Sequence, residues 1–381
     1  MVSPAHYAHV PSASGAKAMI GLGSPRPSRL YAELTAQALR HGLPARRGGL
    51  LAATARLGLP RALVAAVSRR FPRRRRPELD DLLDEIAAAW PGLAERSSRL
   101  PGEPPSLSAL ALHRAAGLTV FVLGGEECPL LVAKLAGNRK LLESERAALQ
   151  RAEPVHIAPR YLGEVGGAYV QEGLRGKALA IPPIDALLWN ARLSQLALSL
   201  ARLAAVSVRA EPPDGLAVPV ELALARLEGS ARRAVEAAWR DVQRLEVSVL
   251  QHGDTSAQNC LFEDERLTGL VDWERARQRG VPGFDLWNAA LALLEHSVGL
   301  RRWSQERVLV AFRDHWLGAW GASARAAAAD SATAAGVPES MLGPLEVVFF
   351  ARRLGRRLAS PDSYATTPAT AARMLELACA L

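Results

Sequence analysis

Apolar positions recur along this chain in two different periods, and the change from one to the other organises it. Leu79, Leu82, Leu83, Ile86 and Trp90 return every three or four residues with Asp80, Asp81, Asp84 and Glu85 opposite, so the spacing predicts an amphipathic helix that Pro91 ends. Pro101-Gly102-Glu103-Pro104-Pro105 then reads as a linker and sets the main boundary. Beyond it, Leu118 to Leu123, Gly124 to Glu127 and Pro129 to Lys134 predict strand, turn and strand. Leu141 to Ala152 predicts a short helix carrying Glu143 and Glu145, and Tyr161 to Val170 holds two more short strands around Gly166-Gly167. Helical spacing returns over Ile184 to Val208 and Val220 to Arg244, and the C-terminal part is largely helical, with Phe312, Trp316 and Trp320 marking one buried stripe. A β-rich small segment followed by a helix-rich large one argues for an α+β fold.

The N-terminal part changes this picture through its charge. Residues 1 to 28, rich in Pro, Ser, Gly and Ala, show no apolar periodicity and are expected to form a tail, and Leu30 to Val67 reads as short helical pieces broken by Gly and Pro. Residues 1 to 100 carry 16 Lys and Arg against 7 Asp and Glu, so the whole net charge of +9 lies there and the remainder is balanced. Arg69 to Arg76 is its densest stretch, with Leu63, Val64 and Val67 just ahead of it. That combination predicts peripheral contact with an anionic membrane surface; nucleic acid is not expected, because only Phe71 interrupts the basic residues and stacking platforms are absent. Charges interrupt every apolar stretch long enough to span a bilayer, and no export signal is legible, so the expected location is cytoplasmic, peripheral to the inner face of the membrane. Cys128, Cys260 and Cys379 are far apart, which removes a disulfide framework and leaves oxygen ligands for any metal.

The chemistry concentrates between Leu245 and Leu286. A strand at Leu245 to Leu250 delivers His252-Gly253-Asp254 into a loop, Asn259 follows, and a hairpin of Cys260-Leu261-Phe262 with Leu267 to Val271 ends at Asp272-Trp273-Glu274. A carboxylate and an amide carbonyl suit a hard Mg²⁺ ion on a polyphosphate, while a second carboxylate can orient a hydroxyl and take its proton.

His252-Gly253-Asp254 with Asn259, then Asp272-Trp273-Glu274, then Gly283-Phe284-Asp285-Leu286 resembles the aminoglycoside phosphotransferase and choline kinase family, over residues 110 to 300. The resemblance implies a two-lobed protein-kinase-like fold, with a β-rich N-lobe over 106-175 and a helical C-lobe over 176-381; the helical basic extension over 1-105 lies outside it. It implies that Asp254 is the catalytic residue, that Asn259 and Asp272 hold Mg²⁺, and that His252 and Asp285 support the catalytic loop. Lys134, one of four lysines in the chain, falls where the family positions nucleotide phosphates, with Glu145 as its ion-pair partner. Gln171, Glu172 and Gly173 fall at the segment that meets the nucleotide base. Glu274 stays open between a metal-region carboxylate and a helix N-terminal charge. The implied activity is transfer of the γ-phosphate of ATP or GTP to a hydroxyl of a small molecule such as a sugar, an aminoglycoside, an amino alcohol or a glycan precursor. A phosphate loop poorer in Gly, Ser and Asn than the family's leaves an alternative, a catalytically inactive nucleotide-binding regulator or scaffold; a membrane-surface adaptor built on residues 1-100 is another.

Overall fold

The computed structural model describes residues 7–11, 17–21, 77–105, 107–114, 117–123, 129–136, 139–178, 186–297, 305–360 and 366–380. The helical pieces expected between Leu30 and Val67, the arginine run with its membrane contact, and the turn at Gly124 to Glu127 lie outside the described residues. The chain divides into two compact units, Met1–Arg146 with Pro159–Arg175, and Ala147–Ala158 with Gly176–Leu381. Among the described residues no helix is long and apolar enough to cross a membrane.

The smaller unit is an antiparallel sheet with one long helix. Its elements are β1 (Tyr7–Pro11), β2 (Lys17–Gly21), α1 (Pro77–Glu95), β3 (Ser108–Arg114), β4 (Gly117–Leu123), β5 (Leu131–Ala136), the start of α2 (Arg139–Ala152), β6 (Tyr161–Val165) and β7 (Ala168–Glu172). The strands lie in the order β1-β2-β3-β4-β5-β7-β6. Strands β1 and β2 correct the expectation of an element-free tail over residues 1 to 28. Runs of five residues alternate too briefly to stand out between Pro, Ser and Gly. Strand β3 was likewise not anticipated, because Ala alternating with Leu gives weak contrast and low β-propensity. It makes the strand of Lys134 the third of three consecutive antiparallel strands, β3, β4 and β5.

The pleat divides this sheet into two faces. Val120, Val122, Leu131, Ala133, Ala168 and Val170 point to one side and share a buried core with Leu82, Leu83, Ile86, Trp90 and Leu93 of α1. Each such Leu, Ile or Val contributes about 1.5–3 kcal/mol when fully buried. Thr119 stands opposite Lys134, and Lys134 opposite Tyr169, so these residues share the other face with Val132 and Gln171.

Two expectations give way here. Pro91 does not end the helix, which runs on to Glu95; proline on an exposed face costs one main-chain hydrogen bond, while Leu93 beyond it is buried in the common core. Pro101 to Pro105 is also no break between an appendage and the body, because α1 and Leu100 before it belong to the same core as the sheet. The Trp90 indole N–H donates to the Pro101 carbonyl oxygen at 2.8 Å and folds this stretch back on the helix.

The larger unit is mostly helical: α3 (Ala186–Ser207), α4 (Ala217–Leu224), α5 (Gly229–Val242), α6 (Phe284–Ser297), α7 (Gln305–Ala311), α8 (Ala319–Ala334), α9 (Leu342–Ala359) and α10 (Pro368–Ala378). The helix expected over Val220 to Arg244 is two, α4 and α5, separated at Ala225 to Glu228. Phe312 and Trp316 sit in a π-helical turn and are fully buried, stacked on each other and edge-on to Phe350, so this part of the stripe is core. Between the helices lie short strands β8 (Lys177–Ala178), β9 (Val249–Gln251), β10 (Cys260–Glu263), β11 (Arg266–Leu270) and β12 (Arg277–Gly280). They pair as β11-β10-β8 and β12-β9, and their ends carry the chemistry.

Candidate active site

In the smaller unit a buried ion pair fixes one charge. The Lys134 ammonium lies 2.6 Å from Glu145 Oε1, with the lysine side chain 12% and the glutamate 1% exposed. Glu145 shares the buried face of α2 with Ala148, Leu149 and Ala152, at helical spacing. Glu143, the competing acid, is exposed and meets Arg139 at 3.3 Å. Tyr169, opposite Lys134, is buried and stacked on Tyr161 at 4.6 Å; burial pushes its phenol well above the ordinary range, so it stays neutral.

At the end of β7 the three expected base-contacting residues separate. Gln171 lies on the face of Lys134. Glu172 is one residue on, so its side chain turns to the α1 face, where its buried carboxylate accepts a hydrogen bond from the Ser97 hydroxyl. The Glu172 N–H donates to the Arg160 carbonyl at 2.9 Å and the Gly173 N–H to that of Leu130 at 2.8 Å. The Glu172 carboxylate and both N–H groups are thus engaged inside the unit. Gly173 must be glycine for a packing reason, since a Cβ there would lie 1.8 Å from the Pro129 carbonyl oxygen.

In the larger unit, β9 ends at a tightly braced loop. The Asp285 carboxylate accepts the N–H of His252 at 2.6 Å and of Gly253 at 2.9 Å, and the Thr255 hydroxyl donates to its carbonyl oxygen. Burial pushes the Asp285 carboxyl up to about 6, against the pull of those two N–H groups. His252 is fully buried; Nδ1 accepts the Asp254 N–H at 3.2 Å, which leaves Nε2 to donate to the Val271 carbonyl oxygen at 3.0 Å. Its ring meets the buried Trp273 edge-on at 4.6 Å. Both ring nitrogens of His252 are thus engaged within the loop and hairpin. Gly253 has φ 81° and no room for a Cβ, which would lie 2.3 Å from the Arg275 carbonyl oxygen.

The hairpin joins the remaining acids to this loop. The Asn259 side-chain amide donates to the Asp254 carbonyl at 2.9 Å, and the Val271 N–H donates to the Asn259 carbonyl at 2.9 Å. Asn259 therefore stands just before β10 and Asp272 just after β11, at one end of the same antiparallel pair. Asp272 holds the left-handed conformation with φ 70°, a bend that Asp tolerates better than most residues. Glu274 is half-buried in the single turn Trp273–Arg275.

Arg275, which sequence reasoning passed over, lies 3.8 Å from Asp254 Oδ2, with its side chain half exposed and the aspartate's about a third exposed. Its position directly after Asp272-Trp273-Glu274 was the available signal, but no periodicity marks it. Thr255 was missed for the same reason.

The description "Phosphotransferase enzyme family" matches residues 114–328. Solved structures similar to the chain include a Ralstonia eutropha protein assigned to the aminoglycoside phosphotransferases, 15% identical, covering 78% of this chain and 98% of that one, with a TM-score of 0.47. Another is the macrolide 2'-phosphotransferase MphH of Brachybacterium faecium, 18% identical, covering 76% and 98%, with a TM-score of 0.42. A choline/ethanolamine kinase family protein of Mesorhizobium loti is 16% identical, covering 80% and 94%, with a TM-score of 0.38. Comparison with curated proteins returns no significant match. The family match spans more than half of the sequence, and the chain therefore belongs to the phosphotransferase enzyme family.

Proposed function

We propose that this enzyme transfers the γ-phosphoryl group of ATP or GTP to a hydroxyl of a small molecule, a sugar, aminoglycoside, amino alcohol or glycan precursor. The observation that carries the reading is the loop in which Asp254, Asn259 and Asp272 are tied together through His252, Val271 and Asp285. Asp254 orients the acceptor hydroxyl and takes its proton as the oxygen bonds to the γ-phosphorus; the bond from that phosphorus to the bridging oxygen breaks, and the nucleoside diphosphate leaves with the electron pair. Lys134, fixed by Glu145, meets phosphate oxygens as a positive charge that does not wander.

The hairpin end suits Mg²⁺ by its chemistry. Asn259 spends its amide nitrogen on the Asp254 carbonyl, which leaves the amide oxygen as the end that would meet a cation, with Asp272 at the same end of the hairpin as the second oxygen donor. Among the described residues no three His, Cys, Asp or Glu side chains form a metal cluster, so the ion would share its shell with phosphate and water oxygens. When bound, it neutralises charge on the triphosphate. The test is a phosphate-transfer screen over hydroxyl compounds with ATP and with GTP, with Mg²⁺ present. A phosphorylated acceptor is expected with at least one nucleotide; nucleotide binding without transfer to any acceptor would favour the inactive regulator instead.

A further inference from the structure

Two consecutive residues after α1, Arg96 and Ser97, reach β6 and β7, and each contact falls at a different point. The Arg96 guanidinium donates to the Leu162 carbonyl oxygen at 2.7 Å, and the Arg160 guanidinium donates to the Arg96 carbonyl oxygen at 3.0 Å. The Ser97 hydroxyl donates to the Glu172 carboxylate, and the Arg99 N–H donates to the Ser97 oxygen at 3.1 Å. Ser97 and Glu172 are 5% and 7% exposed, so this is a charge-assisted hydrogen bond shielded from water, the kind whose loss is felt most. On its other side the same segment is held by Gly173 against Pro129 and Leu130. The strand end is thus clamped from both flanks, and one flank is supplied by the stretch that charge arithmetic alone makes an appendage.

We infer that Ser97 is a positioning residue for nucleotide binding: through Glu172 it sets the place of the β7 end, where the base is received. The inference rests on the phosphotransferase reading above, and it gives residues 77 to 100 a part in nucleotide affinity that nothing in the family match, which begins at residue 114, assigns to them. Glu172 acts as a buttress, with its carboxylate facing α1 and its neighbour Gln171 facing the side of Lys134.

The test is calorimetric titration of the full chain with Mg·ATP and Mg·GTP, well below the melting temperature, for the native protein, Ser97→Ala and Ser97→Thr. Ser97→Ala is expected to weaken binding of the preferred nucleotide about fivefold or more, and Ser97→Thr, which keeps the hydroxyl, to stay within about twofold of native. A lower melting temperature in Ser97→Ala with an unchanged dissociation constant would make the bond merely structural and overturn the inference, leaving the phosphotransferase reading intact. A native protein that binds neither nucleotide overturns both. If Ser97→Ala does not fold, Arg96→Ala, which removes an exposed guanidinium from the Leu162 carbonyl, takes its place with the same expected weakening and the same contrary outcome.

Discussion

Lys134 and Asp254 are held in opposite ways. Lys134 meets a glutamate that is 1% exposed, in a pair largely withdrawn from water, whereas Asp254 is about a third exposed and faces a half-exposed arginine at 3.8 Å. The first arrangement suits a charge whose value and place stay constant through a reaction. The second suits a group that must exchange partners, since an exposed pair contributes at most about 1 kcal/mol and yields easily. What holds Asp254 in place is its backbone, fixed through His252 and Asn259, while its carboxylate stays accessible. The smaller unit builds rigidity into side chains; the larger builds it into the main chain.

The largest effect expected from this contrast is on turnover. Asp254→Asn should lower it about 10²-fold or more while the fold is unchanged, because the amide cannot take the hydroxyl proton; near-native turnover of a screened acceptor would break the assignment. Glu145→Ala should act on stability instead. Removing one partner of a buried pair costs about 3–5 kcal/mol, so chemical denaturation should show a large loss, and an unchanged midpoint would show that the pair adds nothing to stability.

The loop brace gives a pH prediction with a definite sign. The Asp285 carboxyl, pushed up to about 6 by burial, gains a proton in the folded state as the pH falls through that value, and the N–H groups of His252 and Gly253 then face a poorer acceptor. Turnover should therefore fall reversibly below that pH, and Asp285→Asn should flatten this limb of the profile. Stability moves the other way. A folded value above that of the unfolded chain means that the contribution of this group is fully present below about pH 4 and is lost as the pH rises through the folded value, so acid loss of activity by this route is not unfolding. A melting temperature that drops in step with activity across this range would contradict the account. The smallest effect belongs to Arg275→Ala, expected to change turnover about threefold or less at moderate salt, given the weakness of half-exposed pairs; a loss of the size expected for Asp254→Asn would mean that Arg275 touches the transferring group.

The same contrast explains what could be read in the sequence. The loop and hairpin proposed as catalytic were legible because their residues sit at fixed short spacings, His252 to Asn259 and Asp272 to Asp285, each residue type suited to the role proposed for it. Lys134 was legible because lysine is scarce and a strand leads into it. The role of α1 was not, since an amphipathic face announces that a helix buries something without naming what, and its partner strands lie tens of residues onward. The bond from Ser97 to Glu172 was not legible because a sequence motif does not show which face of a strand a side chain takes; the pleat decides that, and here it turns Glu172 to Ser97. Strands β1, β2 and β3 were too short or too rich in alanine for alternation to register.

The central claim is that Lys134 addresses the nucleotide and Asp254 the acceptor. Dissociation constants for Mg·ATP and Mg·GTP measured side by side in the native protein, Lys134→Ala and Asp254→Asn test it most directly. Lys134→Ala should weaken the preferred nucleotide about tenfold or more, while Asp254→Asn should bind it within about twofold of native despite its lost turnover. Equal weakening in both variants, or none in Lys134→Ala, would contradict the division of labour on which the account stands.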